Sequence, residues 1–292
     1  MDIDRAGLRH LYPFESHYLD VDGQRLHYVD EGEGPPVVLV HGNPTWSFYF
    51  RELVIGLRDS YRVIVPDHIG CGLSDKPQRY PYTLATHIKN LRRLIEHLGL
   101  ESVTLAGHDW GGAIGMGWAV QEPDRVGRLV IFNAAAFLGG PTPLRIRVCG
   151  WPILGTIGVR GLNLFARAAL RIACVKRDRM TREVARGYLL PYDSFANRVA
   201  ILRFVEDIPR NPSVASYAVM REIESRLELL RDRRTIIFWG GRDFCFNDAF
   251  LSSWIERFPQ ACVHRFADAG HYVVEDAHER ILPLLRGFLD ED

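Results

Sequence analysis

The stretch Val103-Thr104-Leu105-Ala106-Gly107-His108-Asp109-Trp110-Gly111-Gly112 decides the fold of this chain. An apolar run ends at a glycine and presents an acid, and a small-residue segment that can pack closely as a helix follows. A strand, a sharp turn and a helix in this order are typical of a nucleophile elbow, usually written G-x-S-x-G. Aspartate stands here in the place of serine, so the pattern predicts a nucleophile that is already ionised at neutral pH. Asp is also favoured as a helix cap, so the rest of the chain must decide between the two roles.

Short apolar runs alternate with helical patterns on both sides of this stretch. We predict strands at residues 17–23, 24–30, 36–40, 61–67, 126–133, 235–239 and 261–266, and a further strand in the apolar run that begins at residue 103 and ends at Gly107. Helical spacing or helix signals occupy residues 47–57, 83–98, 248–258 and 275–289. This alternation predicts an α/β fold with a mostly parallel eight-stranded sheet and helices on both faces.

The alternation stops between the sixth and seventh predicted strands. Residues 134–223 contain no convincing strand, while residues 162–174 and 180–188 have helical patterns. We therefore predict a helical cap inserted after the sixth strand. The expected organisation is a core in two parts, residues 1–133 and 224–292, with the cap at residues 134–223 between them.

Composition excludes several functional classes. The 292 residues are 47% apolar and 25% charged with a net formal charge of zero, which indicates a globular protein and no nucleic-acid partner. The five cysteines are scattered without metal-ligand spacing, so we expect no metal and a reduced compartment. The apolar region at residues 150–175 is interrupted by Arg160, Arg167 and Arg171, which predicts no stable membrane insertion. With no signal-peptide pattern at the N-terminus, we expect a cytoplasmic location.

Two further polar residues follow predicted strands. Asp243 comes after the strand at 235–239, and His271 lies just past the strand at 261–266. Either could be unremarkable alone, Asp243 as a turn residue and His271 as one of eleven histidines. Their joint position with Asp109 at the carboxyl edge of the sheet, in the order nucleophile, acid, histidine, is that of the α/β-hydrolase fold. No carboxylate follows the strand at 126–133, so Asp243 has no rival as the acid at that place.

Asn43 and Trp110 are candidates for stabilising a negative charge. The backbone amides of the first-loop residue and of the residue after the nucleophile form the oxyanion hole of this fold, and here these residues are Asn43 and Trp110. Both side chains also carry N–H donors. Two neutral donors beside a carboxylate nucleophile suit a departing halide ion. Turn chemistry for Asn43 and packing for Trp110 are the alternatives.

These motifs resemble those of haloalkane dehalogenases over nearly the whole chain. The similar segments are residues 41–47 (HGNPTWS), 66–77 (PDHIGCGLSDKP), 107–112 (GHDWGG) and 270–272 (GHY). The resemblance implies Asp109 as the nucleophile, His271 as the base, and Asn43 with Trp110 as the halide-stabilising pair. The acid at Asp243 is similar to that of the third subfamily.

A second family is similar almost as closely, the β-lactone decarboxylases of bacterial olefin biosynthesis. That family shares the same nucleophile and donor pair, and residues 191–198 (PYDSFANR), 203–209 (RFVEDIP) and 239–246 (WGGRDFCF) resemble it closely. Third-subfamily dehalogenases can carry these segments too. The resemblance therefore leaves open which bond the enzyme breaks.

Hydrolytic dehalogenation through an alkyl-Asp109 ester is the leading functional hypothesis, with β-lactone decarboxylation as the alternative. Either substrate is small or lipid-like and apolar, and neither reaction needs a cofactor. Long alkyl chains would need an apolar tunnel, for which the cap offers Phe137, Leu138, Leu144, Ile146, Trp151, Ile153, Leu154, Leu162, Leu164 and Phe165, although such residues are more often ordinary core.

Three other hypotheses carry less weight. Epoxide hydrolysis would use acidic groups on the cap, for which Tyr188, Tyr192 and Tyr217 are the candidates. Carboxyl-ester hydrolysis is disfavoured because the elbow lacks Ser or Cys. A non-catalytic binding protein could lose members of the triad freely, whereas all three are present. The apolar, arginine-bearing cap helices could also carry a contact between identical subunits.

Overall fold

Within the described residues, eight strands form a single sheet. The computed structural model describes residue 3 and residues 6–140 and 142–291. The strands are β1 (His17–Val21), β2 (Gln24–Glu31), β3 (Pro36–Val40), β4 (Arg62–Pro66), β5 (Val103–Asp109), β6 (Val126–Ala134), β7 (Arg234–Gly240) and β8 (Cys262–Phe266). Their order is β1-β2-β4-β3-β5-β6-β7-β8. β2 is antiparallel to β1 and β4, and the remaining pairs are parallel. The predicted fold class is confirmed.

The central strands are apolar throughout because both faces of the sheet are covered. In β3, Val37 and Leu39 belong to the apolar core on one face, and Val38 and Val40 belong to the core on the other. This division follows from the alternation of side chains along a strand. A continuous apolar run is therefore required at β3, as expected for a parallel strand between two layers of helices.

The helices cover both faces of the sheet, and some of them form the segment that connects β6 to β7. They are α1 (Arg51–Leu57), α2 (Leu84–His97), α3 (Trp110–Ala119), α4 (Leu144–Cys149), α5 (Pro152–Leu154), α6 (Leu164–Ile172), α7 (Arg182–Leu189), α8 (Val199–Glu206), α9 (Ala215–Arg226), α10 (Asp248–Arg257) and α11 (Val273–Asp290). A π-helical segment, Gly155–Gly161, joins α5 to the turn before α6. Helices α1 and α11 contribute to one core, and α2, α3 and α10 contribute to the other.

The segment between β6 and β7 contains α4 to α9 and no strand among the residues described. We call it the helical insertion. A hydrogen bond to a buried ion pair connects it to the core. Arg51 of α1 donates to both carboxylate oxygens of Glu275 of α11 over 2.8 and 2.7 Å, and the Tyr188 hydroxyl of α7 donates to Glu275 over 2.7 Å. Asp276 adds a second link, because its carboxylate accepts the amides of Val175 and of Gly270. The domain limits at 133/134 and 223/224 stay predictions.

No single helix in the described ranges is both long and apolar enough to cross a membrane. Pro152–Gly161 and Leu164–Ile172 meet those criteria only when taken together, and they are bent by 73° relative to each other.

Candidate active site

Asp109 lies where β5 meets α3, in a backbone conformation that few side chains adopt. Its φ is 53° and its ψ is −124°, so the backbone is strained for a residue other than glycine. The turn is also closely packed, because a Cβ at Gly111 would lie 1.9 Å from the carbonyl oxygen of Val40. Asp109 occupies the N-cap position of α3, yet its side chain makes no capping hydrogen bond. The helix-cap alternative is therefore wrong, and the carboxylate points elsewhere.

Two backbone amides lie close to this carboxylate. The N–H of Asn43 donates to Oδ1 of Asp109 over 2.8 Å, and the backbone N–H of Trp110 acts with it to lower the pKa of the carboxyl group. Burial raises the pKa of Asp109, while His271 and the two amides oppose that rise. Glycine is required at Gly42, where a Cβ would lie 2.3 Å from Oδ1. The two amides predicted to form an oxyanion site thus lie against the carboxylate.

His271 lies between the two carboxylates that were predicted to act with it. Its Nδ1 is 2.8 Å from Oδ2 of Asp243, and its Nε2 is 3.7 Å from Oδ2 of Asp109. Burial alone would lower the pKa of His271, but Asp243 and Asp109 outweigh burial and raise it. An ionised carboxylate can only accept, so Nδ1 donates to Asp243 and Nε2 faces Asp109. The structure brings the three predicted residues together.

Sequence reasoning overlooks Asn133, which lies near the end of β6 and is fully buried. Its Nδ2 donates to Oδ2 of Asp243 over 2.9 Å, and its Oδ1 accepts the amide of Gly240 over 2.7 Å. The amides of Cys245 and Phe246 donate to the other oxygen of Asp243 over 2.6 and 3.0 Å. Asp243 is therefore held at both oxygens. The available signal was an amide at the end of an otherwise apolar strand.

The side chains of Asn43 and Trp110 lie beside Asp109 at the wall of a cavity. One N–H of the Asn43 amide donates to the carbonyl of Ile201 in α8 over 3.2 Å, which leaves the second N–H for a ligand. The Trp110 ring packs against Phe204, also in α8, with ring centroids 5.4 Å apart. The insertion therefore helps to position both donors. Donors placed beside a buried nucleophile can stabilise negative charge on a leaving group.

The cavity lies between the carboxyl edge of the sheet and the helical insertion. Its volume is about 1120 Å³, slightly above the roughly 300–1,000 Å³ of common small-molecule pockets. Asp109 and His271 line it on the side of the sheet. Its apolar wall includes Phe137, Leu138, Ile146, Leu164, Phe165 and Ile172. The site is therefore suited to a large apolar substrate that reacts with a carboxylate.

Only half of the residues predicted to form an apolar tunnel line this cavity. Phe137, Leu138, Ile146, Leu164 and Phe165 do so. Leu144, Trp151, Ile153, Leu154 and Leu162 do not, and all five are exposed on the outside of the insertion. For these five the prediction is wrong, because an apolar pattern does not tell the side of the insertion that faces the cavity from the side that faces out.

The three tyrosines considered for epoxide opening have different surroundings. The hydroxyl of Tyr188 is bound to Glu275, and that of Tyr192 donates to the carbonyl of Thr45 over 3.2 Å. Only Tyr217 lines the cavity. The structure therefore provides no pair of tyrosine hydroxyls at the cavity wall among the three candidates. Across the described residues, no group of three or more His, Cys, Asp or Glu side chains is placed to hold a metal ion.

Comparison with known proteins relates this geometry to characterised families. Residues 35–146 match a family model described as the alpha/beta hydrolase fold. The chain is 46% identical over 287 residues to a cis-3-alkyl-4-alkyloxetan-2-one decarboxylase of Shewanella oneidensis, covering 96% of this chain and 90% of that protein. It is 32% identical over 284 residues to haloalkane dehalogenase 2 of Mycobacterium tuberculosis, covering 96% and 97%. A point mutant of the haloalkane dehalogenase DatA from Agrobacterium tumefaciens C58 superimposes with a TM-score of 0.86 at 26% identity, covering 95% and 97%.

Proposed function

Because this chain belongs to the α/β-hydrolase family, we propose that it converts cis-3,4-dialkyl β-lactones into cis-alkenes and carbon dioxide. The observation that carries the proposal is the buried carboxylate of Asp109 at the wall of an apolar cavity of about 1120 Å³. Identity favours the lactone over the haloalkane, at 46% to the decarboxylase against 32% to the dehalogenase. The alternative from the sequence therefore replaces the dehalogenase as the leading hypothesis.

The first step opens the lactone ring. An oxygen of Asp109 attacks ring carbon C4 from the side opposite the ring oxygen, and the C4–O bond breaks. The product is an alkyl-Asp109 ester that carries a carboxylate on the neighbouring carbon C3. The side-chain N–H groups of Asn43 and Trp110 bind this new carboxylate, in the role that a halide would have in a dehalogenase.

The second step releases both products and restores the enzyme. The bond from C3 to the carboxylate carbon breaks, its electrons form the C3=C4 double bond, and the C4–O bond to Asp109 breaks. Carbon dioxide and the alkene leave, and Asp109 is again a carboxylate, held by the amides of Asn43 and Trp110. Attack with inversion at C4 followed by an anti elimination places both alkyl groups on one side, so a cis lactone gives a cis alkene.

His271 has an electrostatic role in this scheme, because neither step consumes water or moves a proton. In the imidazolium form its protonated Nε2, 3.7 Å from Oδ2 of Asp109, stabilises negative charge when Asp109 leaves the alkyl group. Asp243 keeps the imidazole oriented through the bond to Nδ1. These assignments rest on the distances and hydrogen bonds around the three side chains.

Haloalkane hydrolysis is the second candidate, and the position of His271 favours it. In that reaction Asp109 displaces a halide, and His271 then takes a proton from a water molecule that attacks the ester. A neutral Nε2 directed at Asp109 has the geometry of that base. The similarity in fold to a dehalogenase, with a TM-score of 0.86, gives further support.

Isotope-labelled water distinguishes the two reactions. The protein is incubated in ¹⁸O-water with a long-chain cis-β-lactone and, separately, with a 1-bromoalkane. We expect cis-alkene and carbon dioxide from the lactone, with no ¹⁸O in the Asp109 carboxylate afterwards. Asp109→Asn should abolish alkene formation, whereas Asp124→Asn, at an exposed site, should leave it unchanged. Bromide release with ¹⁸O in Asp109, and no alkene from the lactone, would show that the enzyme is a dehalogenase.

A further inference from the structure

Large apolar side chains are concentrated on the outside of the helical insertion. Trp151 is 55% exposed, Ile153 73% and Ile157 57%, and Leu154 and Leu162 are also exposed. Trp151 directly precedes α5, and the other four lie on α5, on the π-helical segment and in the turn before α6. The π-helical segment packs against both α5 and α6. We call these five residues the outer apolar surface. Concentrated exposure of this kind marks an interaction site on a soluble protein.

The segment of the chain that carries this surface is basic and contains no acidic residue. Residues 125–177 contain no Asp or Glu. Arg147, Arg167 and Arg171 are exposed and make no side-chain hydrogen bond or ion pair with any residue that the structure describes. In contrast, Arg160 donates to Gln78 over 2.6 Å and is already engaged. Three uncompensated guanidinium groups beside exposed apolar side chains are complementary to an anionic, amphipathic partner.

The entrance to the cavity lies at the edge of the same surface. Leu164 and Ile172 on α6 line the cavity and are also exposed to solvent, at 53% and 40%. Arg147 likewise both lines the cavity and is exposed. The side chains that form the mouth are therefore continuous with the outer apolar surface, and whatever covers that surface lies next to the route into the site.

We propose that the outer apolar surface docks onto an anionic lipid bilayer. The apolar side chains enter the boundary between headgroups and acyl chains, and Arg147, Arg167 and Arg171 pair with lipid phosphates. Docking places the mouth of the cavity against the acyl chains. That a dialkyl β-lactone enters by this route rests on the proposed function, whereas docking itself does not.

A second copy of the chain fits this surface less well than a bilayer does. A symmetric contact would bring the same basic segments face to face, and residues 125–177 offer the three arginines no acidic partner. A bilayer provides phosphates at the level of the arginines and hydrocarbon below them. The short, bent helices suit a position in the membrane interface, since none of the described helices is long and apolar enough to cross a membrane alone.

Vesicle sedimentation tests docking directly. The full chain is mixed with vesicles of phosphatidylcholine alone or of equal parts phosphatidylcholine and phosphatidylglycerol. We expect sedimentation with the anionic vesicles, weakened by salt, and little with the neutral ones. Trp151 is the most exposed of the tryptophans in the described chain, so its emission should shift to shorter wavelength on binding. No preference for anionic vesicles would overturn the proposal.

Matched variants locate the contact. Arg167→Gln with Arg171→Gln should lower the partition coefficient about 25-fold, fivefold per arginine, which corresponds to about 1 kcal/mol each. Ile153→Ser should lower it as well. The controls Arg231→Gln, just before β7, and Ile255→Ser, on α10, are exposed and do not belong to the outer apolar surface. Both should leave the partition coefficient unchanged. Equal effects of the patch and control variants would contradict docking through this surface, as would a dimer in light scattering that Ile153→Ser dissociates.

Activity is measured separately, so that the two proposals fail independently. Alkene formation from a detergent-dispersed lactone should be unchanged in the Arg167 and Arg171 variants, because neither residue lines the cavity. Vesicle binding without any alkene formation would refute the proposed function and leave docking supported. Alkene formation without vesicle binding would refute docking alone.

Discussion

Replacing Asp243 by asparagine changes the direction of the hydrogen bonds around His271. The amide oxygen of Asp243→Asn takes the place of Oδ1, where the amides of Cys245 and Phe246 donate. Its NH₂ group then faces Nδ1 of His271 and Nδ2 of Asn133, both of which donate in the wild-type protein. His271 can adapt by carrying its only proton on Nε2, which leaves Nδ1 as an acceptor. Asn133 cannot turn over without losing the bond from its Oδ1 to the Gly240 amide, which is 2.7 Å long.

The magnitudes follow from these contacts. In the variant the NH₂ groups of Asn133 and of the new asparagine face each other, and this contact between two donors should lower the free energy of unfolding by about 1–3 kcal/mol. With its proton on Nε2, His271 cannot accept a proton from water, so hydrolysis of an alkyl-Asp109 ester should slow by about 10⁴-fold. Alkene formation moves no proton and keeps an N–H donor beside Asp109. It should fall by no more than about 100-fold, the value of one hydrogen bond to a charged group.

Both reactions are measured on the same Asp243→Asn preparation. Single-turnover alkene formation from a cis-β-lactone is followed by gas chromatography, and mass spectrometry of the Asp109 peptide detects an ester left by a 1-bromoalkane. Thermal unfolding verifies that the variant is folded, and Asp124→Asn serves as the control for the chemical change. A fall of about 10⁴-fold in alkene formation would show that His271 transfers a proton, and the water-free mechanism would then be wrong.

Three further predictions concern stability, pH and the donor pair. Arg51→Met should lower the free energy of unfolding in urea by about 3–5 kcal/mol because it leaves Glu275 buried and unpaired. Adding Glu275→Leu should recover part of that loss. An equal or larger loss in the double variant would contradict this. The pKa of His271 is raised from its ordinary value of 6.5, so the stabilisation of the fold by protonated His271 is complete below pH 6.5 and disappears as the pH rises through the folded pKa. The melting temperature should fall over that range. Identical curves of melting temperature against pH for the wild-type protein and His271→Gln would refute this. Trp110→Phe removes the indole donor and should slow alkene formation about 10- to 100-fold, the cost of one charged hydrogen bond, and an unchanged rate would exclude that donor.

The core of the site could be predicted because each part of it has a local pattern. Asp109 follows an apolar strand and precedes glycines, and Asp243 follows another strand. Parallel strands present their carboxyl ends at one edge, so short-range patterns at β5, β7 and β8 suffice to bring Asp109, Asp243 and His271 together. The same reasoning predicts the amide of Asn43, which follows β3 in the neighbouring position of the sheet.

Contacts that connect distant segments could not be predicted in this way. Asn43 donates to Ile201, which lies 158 positions further along the chain, and no local pattern marks a bare backbone carbonyl. Asn133 was not predicted because it carries an amide and not a carboxylate near the end of β6, although a buried amide can orient an acid equally well. In the helical insertion, apolar residues occur on both the cavity side and the outer side, so periodicity alone does not separate them.

The identity of the product depends on what happens to the ester, and the substrate itself provides that difference. A haloalkane leaves an ester with no internal means of collapse, so a water molecule activated by His271 must hydrolyse it. A β-lactone leaves an ester with a carboxylate on the adjacent carbon, and its collapse is unimolecular. The groups that react in this collapse are already joined in one molecule, whereas hydrolysis needs a water molecule that is bound and oriented first. An ester of Asp109 derived from a lactone should therefore eliminate before water reacts, even in a site whose His271 is able to activate water. The hydrolytic geometry of Asp109, Asp243 and His271 therefore does not argue against decarboxylation. In that reaction loss of the carboxylate on C3 breaks down the ester, whereas in a dehalogenase water hydrolyses it.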